Sequence, residues 1–337
     1  MSDVEARASL RFDGPLDLAA TLRPLGTPFG DPTLRATDTE AVRTTRTPDG
    51  PATLHVAIAA PGLVEARAFG PGAPWILARA ADLLGVSTWG QTPNVNFPAL
   101  PPTCDRRATS TWGLTPDVNL RVRELGRRAS RLRLARSQRV FELLVPIVLE
   151  QLVSGAEASR AFARLVRRFS EPAPGPFDDL WLPLGAAEIR AIPLAAFPAC
   201  GALPRQGRTL HELARRATRV EEAAAMDVAD ADRRLLAFPG VGLWTARSAM
   251  LRGLGFADAV PLGDYHLPRI VALNLTGHDE PHADDARMLE LLEPWRGERG
   301  RLVAWIATAG AMPARRGPRG AMREIDASGA ALLRTVR

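Results

Sequence analysis

The sequence contains no lysine, although 43 of its 337 residues are basic. Every one of these basic residues is therefore an arginine, a composition that the codon bias of a GC-rich genome explains. The absence has a chemical consequence whatever its cause. Because no lysine amine is present, reactions in which such an amine forms a Schiff base with a carbonyl carbon are excluded.

Cysteine and long apolar runs are also scarce. Only Cys104 and Cys200 are present, far apart, so no cluster of four cysteines can hold a metal or an iron–sulfur centre. Two isolated cysteines fit a reducing compartment, and we expect a cytoplasmic protein. No apolar run reaches the length of a membrane span. His278 and His282 are separated by a proline and have no cysteine nearby, which argues against a zinc site.

Hydrophobic residues and positive charge are abundant. The hydrophobic content of 46% can fill a large core, and 337 residues predict about two domains. The net charge of +6 favours a polyanionic partner. Residues 121–139 carry eight arginines and one acid, which is typical either of a helix facing a nucleic acid or of a solvated helix face.

The apolar patterns predict an α+β fold that is mostly α. Leu54, Val56 and Ile58 alternate with other residues, as in a half-buried strand, and a Thr-Pro-Asp-Gly turn precedes them. A helix is predicted over 73–84. Residues 1–85 are therefore expected to form a small antiparallel β-sheet domain with a helix.

The rest of the chain divides into three segments. Residues 86–134 are rich in Pro, Thr, Gly and Arg, and predict a linker or basic excursion. Residues 135–310 have helical periodicity, and Ser154 with Glu157 has the spacing of a capping box. Residues 311–337 form a basic tail that either lies along a polyanion or is mobile.

One motif joins a tight turn to an acid at a fixed distance. Pro239-Gly240-Val241-Gly242 connects two amphipathic segments, and the amides of such a helix start attract phosphate. Asp264 follows Trp244 by twenty residues, just before another predicted helix. An aspartate at that position is either an ordinary N-cap or a catalytic carboxylate.

The turn, Trp244, Asp264 and the Gly-Asp-Tyr tripeptide at 263–265 together resemble the helix-hairpin-helix (HhH-GPD) superfamily of DNA glycosylases. They are similar in particular to the 3-methyladenine DNA glycosylase II type, over most of residues 135–310. The resemblance implies a helical HhH-GPD body and excision of alkylated bases, such as 3-methyladenine, in base excision repair. It also implies damaged double-stranded DNA as the partner of a monomer that needs no cofactor.

The resemblance implies roles for four side chains around the reacting sugar. Asp264 would be the catalytic carboxylate, which stabilises the positive charge that develops as an N-glycosidic bond breaks. Trp244, Tyr265 and Trp305 would form the base pocket, although a tryptophan on a helix is also a common core residue. Relatives that cut the strand carry a lysine where this chain has Trp244, so the resemblance implies a monofunctional enzyme without lyase activity.

The resemblance also implies a set of DNA-binding residues, which are Gln151, Leu152, Gly240, Val241, Gly242 and Thr245. Leu152 would fill the gap left by a flipped nucleotide, unless it is simply a core residue. The carbonyls of Leu236, Phe238 and Val241 would hold a structural monovalent cation, Na⁺ or K⁺.

The chain departs from the family pattern at Ser248, where an aromatic residue often stands one helical turn beyond Trp244. This departure affects the expected range of substrates more than the expected reaction. Two alternative functions also remain open. One is a non-catalytic hairpin module that only binds DNA, and the other is a monofunctional glycosylase for oxidised or mismatched bases.

Overall fold

The computed structural model describes residues 5–86, 116–314, 322–325 and 331–334. Within these ranges an antiparallel sheet domain precedes a helical body, as the sequence patterns predict. Most of the predicted linker, from residue 87 to 115, and most of the predicted basic tail lie outside the described residues.

The N-terminal sheet has five antiparallel strands in the order β1-β5-β4-β3-β2. Their bounds are β1 Glu5–Arg11, β2 Leu34–Ala36, β3 Glu40–Thr47, β4 Gly50–Ala60 and β5 Leu63–Phe69. Thr47 pairs with Gly50 across the predicted two-residue turn, and Gly50 has a φ of +122° that suits glycine. Leu54 and Val56 are buried, as the alternating pattern predicts.

Three short helices accompany the sheet, namely α1 Leu18–Leu22, α2 Ala73–Leu77 and α3 Ala80–Leu83. The single helix predicted over 73–84 is thus divided near Arg79, whose guanidinium lies 4.1 Å from the ring centroid of Trp75. Helix α1 is capped by Asp17, whose carboxylate accepts a hydrogen bond from the amide of Ala20 at 2.8 Å.

The helical body contains twelve of the described helices. They are α4 Pro116–Arg128, α5 Val140–Leu149, α6 Gly155–Phe169, α7 Ala186–Ala191, α8 Ala196–Ala199, α9 Pro204–Arg215, α10 Ala217–Glu221, α11 Val228–Leu236, α12 Leu243–Gly253, α13 Leu267–Thr276, α14 Asp285–Leu292 and α15 Arg299–Ala309. The predicted capping box is present at the start of α6, where Ser154 and Glu157 exchange hydrogen bonds.

The arginine-rich segment is attached to the protein more than either sequence interpretation supposed. Helix α4 packs against α13 and α15, with Val118, Val122 and Leu125 buried. After the helix, Arg131 donates to the carbonyl of Leu16 at 3.3 Å, so this stretch fastens the N-terminal segment to the body. A helix packed on the core therefore occupies the described part of the expected linker.

A buried ion pair joins the sheet to the body. Arg43 on β3 donates to Glu142 on α5 at 2.8 Å, and the two side chains are only 5% and 7% exposed. The other carboxylate oxygen of Glu142 accepts hydrogen bonds from the hydroxyl of Thr45 and the amide of Arg46. Apolar residues of both parts belong to one continuous core, so sheet and body form a single packed unit.

Strands β6 Met322–Ile325 and β7 Ala331–Arg334 pair with each other within the predicted basic tail. None of the helices in the described ranges combines the length and apolar character needed to span a bilayer.

Candidate active site

A cleft of about 1500 Å³ brings together six separate parts of the chain. One wall comes from α1 and the turn after it, through Arg23, Gly26 and Pro28. The other walls come from the corner between α5 and α6 (residues 150–154), the hairpin between α11 and α12, the loop at 263–266, helix α9 and the end of α15. The cleft thus gathers most of the residues that the sequence singled out.

The hairpin turn depends on a glycine that cannot be replaced without strain. Gly240 has a φ of +83°, and a Cβ atom there would lie 2.1 Å from the Oγ1 atom of Thr209. Gly242 is the N-cap of α12, has no side chain to satisfy the first amides, and would place a Cβ in open space. An anion can therefore approach the amides at the start of α12. Val241, in contrast, is buried, and its amide donates to the carbonyl of Phe238 at 3.1 Å.

The carbonyls of Leu236, Phe238 and Val241 belong to the same turn. The Phe238 oxygen already accepts one hydrogen bond, which leaves one lone pair for a cation. The described residues contain no group of three or more His, Cys, Asp or Glu side chains suited to a metal ion. Backbone oxygens are ligands that a hard monovalent cation accepts, so the cation at this turn stays a prediction.

Asp264 is held by three hydrogen bonds that use both carboxylate oxygens. Its Oδ1 atom accepts from the amides of His266 and Leu267, at 2.8 and 2.9 Å, at the start of α13. Its Oδ2 atom accepts from the indole Nε1 of Trp244 at 2.8 Å. The preceding residue, Gly263, donates its amide to Asp285 at 2.7 Å. Asp264 thus lies just before the N-cap of α13, which is His266, and is a fixed carboxylate in the cleft.

The aromatic residues predicted for the pocket do not all reach the cleft. Trp244 is half-buried and lines it, and Tyr265 lies at its rim with 92% of its surface exposed. Trp305 is buried, and its ring would be 2.8 Å from a Cβ placed on Gly126 of α4. Trp305 is not among the residues that line the cleft, because helix α4 covers its ring. Ser248 is also buried, and among the described residues that line the cleft Trp244 is the one tryptophan.

Leu152 is an exposed apolar residue in a strained backbone conformation. Its φ is +59° and 76% of its surface is exposed, so it is not a core residue. Left-handed backbone is unfavourable for a residue with a branched side chain and marks positions where function can override local preference. Leu152 lies at the cleft, in the corner between α5 and α6.

Gln151 and Thr245 contact each other. The Gln151 side-chain amide donates to the carbonyl of Gly240 at 3.0 Å and to the hydroxyl of Thr245 at 2.8 Å. Thr245 is only 2% exposed but still lines the cleft, and its hydroxyl accepts the hydrogen bond from Gln151. The pair ties the corner that carries Leu152 to the hairpin.

Four further residues complete the site, although the sequence did not reveal them. Buried Gln206 donates to the carbonyls of Leu149 and Gln151, at 3.0 and 2.8 Å, and fixes the corner from behind. Thr209 packs on Gly240. Glu150 and Arg252 form an ion pair of 2.8 Å inside the cleft. These contacts join residues distant in sequence, and no motif or spacing signals them.

The fold can be compared with known proteins on this basis. Neither a protein-family model nor a curated protein sequence matches the chain. Among solved structures, the chain is similar to the 3-methyladenine DNA glycosylase of Archaeoglobus fulgidus, with a TM-score of 0.66, 17% identity and coverage of 89% of this chain and 97% of that one.

Two further solved structures are similar to the chain over most of its length. MBOgg1 in complex with a low-affinity DNA ligand has a TM-score of 0.63 and 12% identity, covering 92% of this chain and 98% of its own. The apo 8-oxoguanine glycosylase/lyase of Clostridium acetobutylicum has a TM-score of 0.62 and 10% identity, covering 90% and 97%. The likeness shows a shared fold and confirms the mixed architecture expected from the sequence.

Proposed function

We propose that this protein is a monofunctional DNA N-glycosylase that removes alkylated bases, such as 3-methyladenine, and leaves an abasic site in an uncut strand. The observation that carries the proposal is the carboxylate of Asp264, fixed by two amides and by the indole of Trp244. A carboxylate held in this way needs no reorganisation when positive charge develops on a deoxyribose.

The surroundings of Asp264 support a duplex with one everted nucleotide as the ligand. The open amides after Gly242 suit a backbone phosphate, and Leu152 is an exposed apolar side chain that suits the space left in the base stack. An indole face beside the carboxylate suits an electron-poor, extruded base. A module that only grips the DNA backbone would need neither Asp264 nor Trp244.

The chemistry of the chain supports alkylated bases and simple hydrolysis. A base such as 3-methyladenine carries a positive charge and leaves readily, so one carboxylate suffices and no dedicated general acid is required. The chain has no lysine, and Trp244 stands beside the carboxylate where a lyase would need an amine. We therefore propose hydrolysis without strand cleavage.

Replacement of Asp264 by asparagine tests the proposal. Asparagine can still accept from the two amides, so the fold should persist, whereas excision should fall by about 10²–10³-fold because the negative charge is lost. The measurement is the number of alkali-labile sites formed in alkylated duplex DNA. Asp230→Asn, which neutralises an exposed acid on α11, is the matched control and should retain activity.

Each alternative function predicts a different experimental outcome. Equal numbers of alkali-labile sites with the wild type and Asp264→Asn would favour a non-catalytic binding module. Mass spectrometry of released bases that found 8-oxoguanine but no 3-methyladenine would overturn the substrate. Strand breaks before alkali treatment would overturn the monofunctional mechanism.

A further inference from the structure

A charged pair stands beside the indole wall of the cleft. The guanidinium of Arg252 donates to Glu150 at 2.8 Å, and its central carbon lies 5.9 Å from the ring centroid of Trp244. The side chains of Arg252 and Glu150 are 28% and 11% exposed, and all three residues line the cleft. The pair is therefore partly shielded from water at the place where an extruded base would stack.

The helix that carries Glu150 does not explain why this residue is acidic. Glu150 is the C-cap of α5, and the carbonyl end of a helix carries partial negative charge that disfavours a carboxylate. Helix α5 itself would be better served by a neutral or basic residue at this position. The partner that Glu150 does have is Arg252, so its position is explained by the charge of Arg252.

The charge of Arg252 matters because an arginine remains protonated at any physiological pH. Without a counter-charge, it would repel a cationic base stacked on Trp244 while leaving a neutral base of the same shape unaffected. If the guanidinium and the cationic base lie about 10 Å apart, with the screening typical of partly buried sites, their repulsion corresponds to roughly a ten-fold loss of affinity for the charged base.

We propose that Glu150 determines specificity by neutralising Arg252 beside the Trp244 wall, so that the cleft admits a positively charged damaged base. The inference rests on the proposed function and extends it from alkylated bases in general to bases that carry a formal positive charge. It assigns Glu150 a positioning and electrostatic role through Arg252, and no direct part in bond cleavage.

The test compares two duplexes that differ only in the charge of one base. One contains 7-methylguanine, which is cationic, and the other contains its neutral 7-deaza analogue. Dissociation constants are measured by fluorescence anisotropy in the Asp264→Asn background, which prevents turnover. The variants are Glu150→Gln, Arg252→Met and the double variant. Glu212→Gln on α9, which pairs with Arg215 and does not line the cleft, is the control for net charge.

The inference predicts that the two single variants change the preference for the cationic duplex in opposite directions. Glu150→Gln keeps a hydrogen-bond acceptor for Arg252 but should lower the preference for the cationic duplex about ten-fold. Arg252→Met should raise that preference, the double variant should return it towards the starting ratio, and Glu212→Gln should leave it unchanged. A structural defect alone would weaken both duplexes equally and leave the ratio constant.

Release of 7-methylguanine by the active protein separates the two proposals. A wild type that releases no alkylated base would refute the proposed function and this inference with it. A wild type that releases the base while the affinity ratio stays constant across the variants would refute the role of Glu150 alone.

Discussion

At the residue scale, Leu152 shows a conflict between local preference and position. A leucine with a φ of +59° and 76% exposure contributes neither favourable backbone energy nor burial to the folded state. Gln206 and Gln151 hold the surrounding corner through hydrogen bonds to backbone and side-chain atoms. The corner therefore presents the side chain to the cleft at an energetic cost.

Stability and activity should respond differently to substitution at Leu152. Leu152→Gly should leave the free energy of unfolding unchanged or raise it by up to about 1 kcal/mol, because glycine adopts the left-handed backbone without strain. Excision from alkylated DNA should nevertheless fall about ten-fold or more, because the side chain that fills the base stack is gone. Urea unfolding and single-turnover excision are the two measurements.

Leu152→Ala serves as the companion variant. It should change the free energy of unfolding by less than about 0.5 kcal/mol, as exposed positions do. A loss of about 2–5 kcal/mol would mean that Leu152 packs as a core residue does.

The resemblance to the HhH-GPD superfamily pointed to Asp264, Trp244 and Leu152, and the structure brings these three residues to one cleft. Sequence reasoning failed for residues whose surroundings are set by distant segments. Trp305 is covered by α4, which lies in a part of the chain that was expected to be a linker. Burial by a remote helix leaves no trace in the local pattern.

At the element scale, the two glycines of the hairpin turn have different structural requirements. Gly240 combines a positive φ with close contact to Thr209, whereas Gly242 has an ordinary φ of −95° and open space around it. Gly240 is thus required by the fold of the turn, whereas the fold alone does not require a glycine at position 242.

Alanine at each position should separate folding from binding. Gly240→Ala should lower the free energy of unfolding by about 1–3 kcal/mol, through strain and the clash with Thr209. Gly242→Ala should change it by less than about 0.5 kcal/mol but weaken duplex binding, because the added methyl group obstructs a phosphate. Thermal unfolding and fluorescence anisotropy distinguish the two effects.

Thr209→Ala in the Gly240→Ala background should recover part of the lost stability, since the clash is relieved while the backbone strain remains. No recovery would show that the strain alone accounts for the loss. Unchanged DNA affinity in Gly242→Ala would contradict a phosphate site at this turn.

The start of helix α15 is held by the carboxylate of Asp258, whose ionisation depends on pH. Asp258 accepts from the amides of Gly297 and Arg299, at 2.8 and 3.1 Å, and pairs with the Arg299 guanidinium. Burial opposes ionisation of Asp258, but the hydrogen bonds and charge of Arg299 outweigh it, so the pKa of Asp258 is lowered. The contribution to stability is complete above the ordinary aspartate pKa of about 3.9 and disappears as the pH falls through the lowered value.

Asp258→Asn should therefore remove part of the acid dependence of stability. The variant should lose about 1–3 kcal/mol near neutral pH, because the charged bonds to Arg299 are lost. Its deficit relative to the wild type should shrink as the pH drops below about 4. Urea unfolding between about pH 3 and pH 7 gives both curves, and a deficit that stays constant across this range would contradict the assignment.

Elements were predictable where a repeating pattern or a cap defines them. The β3–β4 hairpin and the capped start of α6 appear at the expected positions. The break between α2 and α3 was not predicted, because the apolar periodicity of the sequence continues across Arg79. Caps and turns are local, whereas a helix break inside a periodic segment depends on tertiary packing.

At the scale of the whole molecule, the ion pair between Arg43 and Glu142 joins the sheet to the helical body. Both side chains are almost fully buried, and Glu142 satisfies three donors of β3. Removal of one partner leaves the other as an uncompensated charge in the core, which is far more costly than the pair itself is stabilising.

Glu142→Gln should lower the free energy of unfolding by about 3–5 kcal/mol, and the double variant Arg43→Met with Glu142→Gln should lose less. Asp179→Asn, which breaks the exposed pair with Arg35, is the control and should cost at most about 1 kcal/mol. Urea unfolding followed by circular dichroism measures all three. A double variant that is less stable than Glu142→Gln alone would contradict the cost assigned to unpaired Arg43.

This joint was not visible in the sequence, which suggested a separate N-terminal domain and a linker. Charge pairing across 99 residues, from Arg43 to Glu142, has no local signature. The same holds for the wall that α1 contributes to the cleft.

The continuous core beneath the cleft has a mechanical consequence. In the described chain the walls of the cleft pack on the same contiguous hydrophobic core, and we expect them to resist being moved apart. A DNA duplex that binds in the cleft would therefore have to bend or unstack, because the protein would not open further. Base-pair steps that bend or unstack at a low energetic cost would deform most readily. Under the proposed function, excision would therefore be faster at sites where the surrounding DNA bends easily than at sites in stiff DNA.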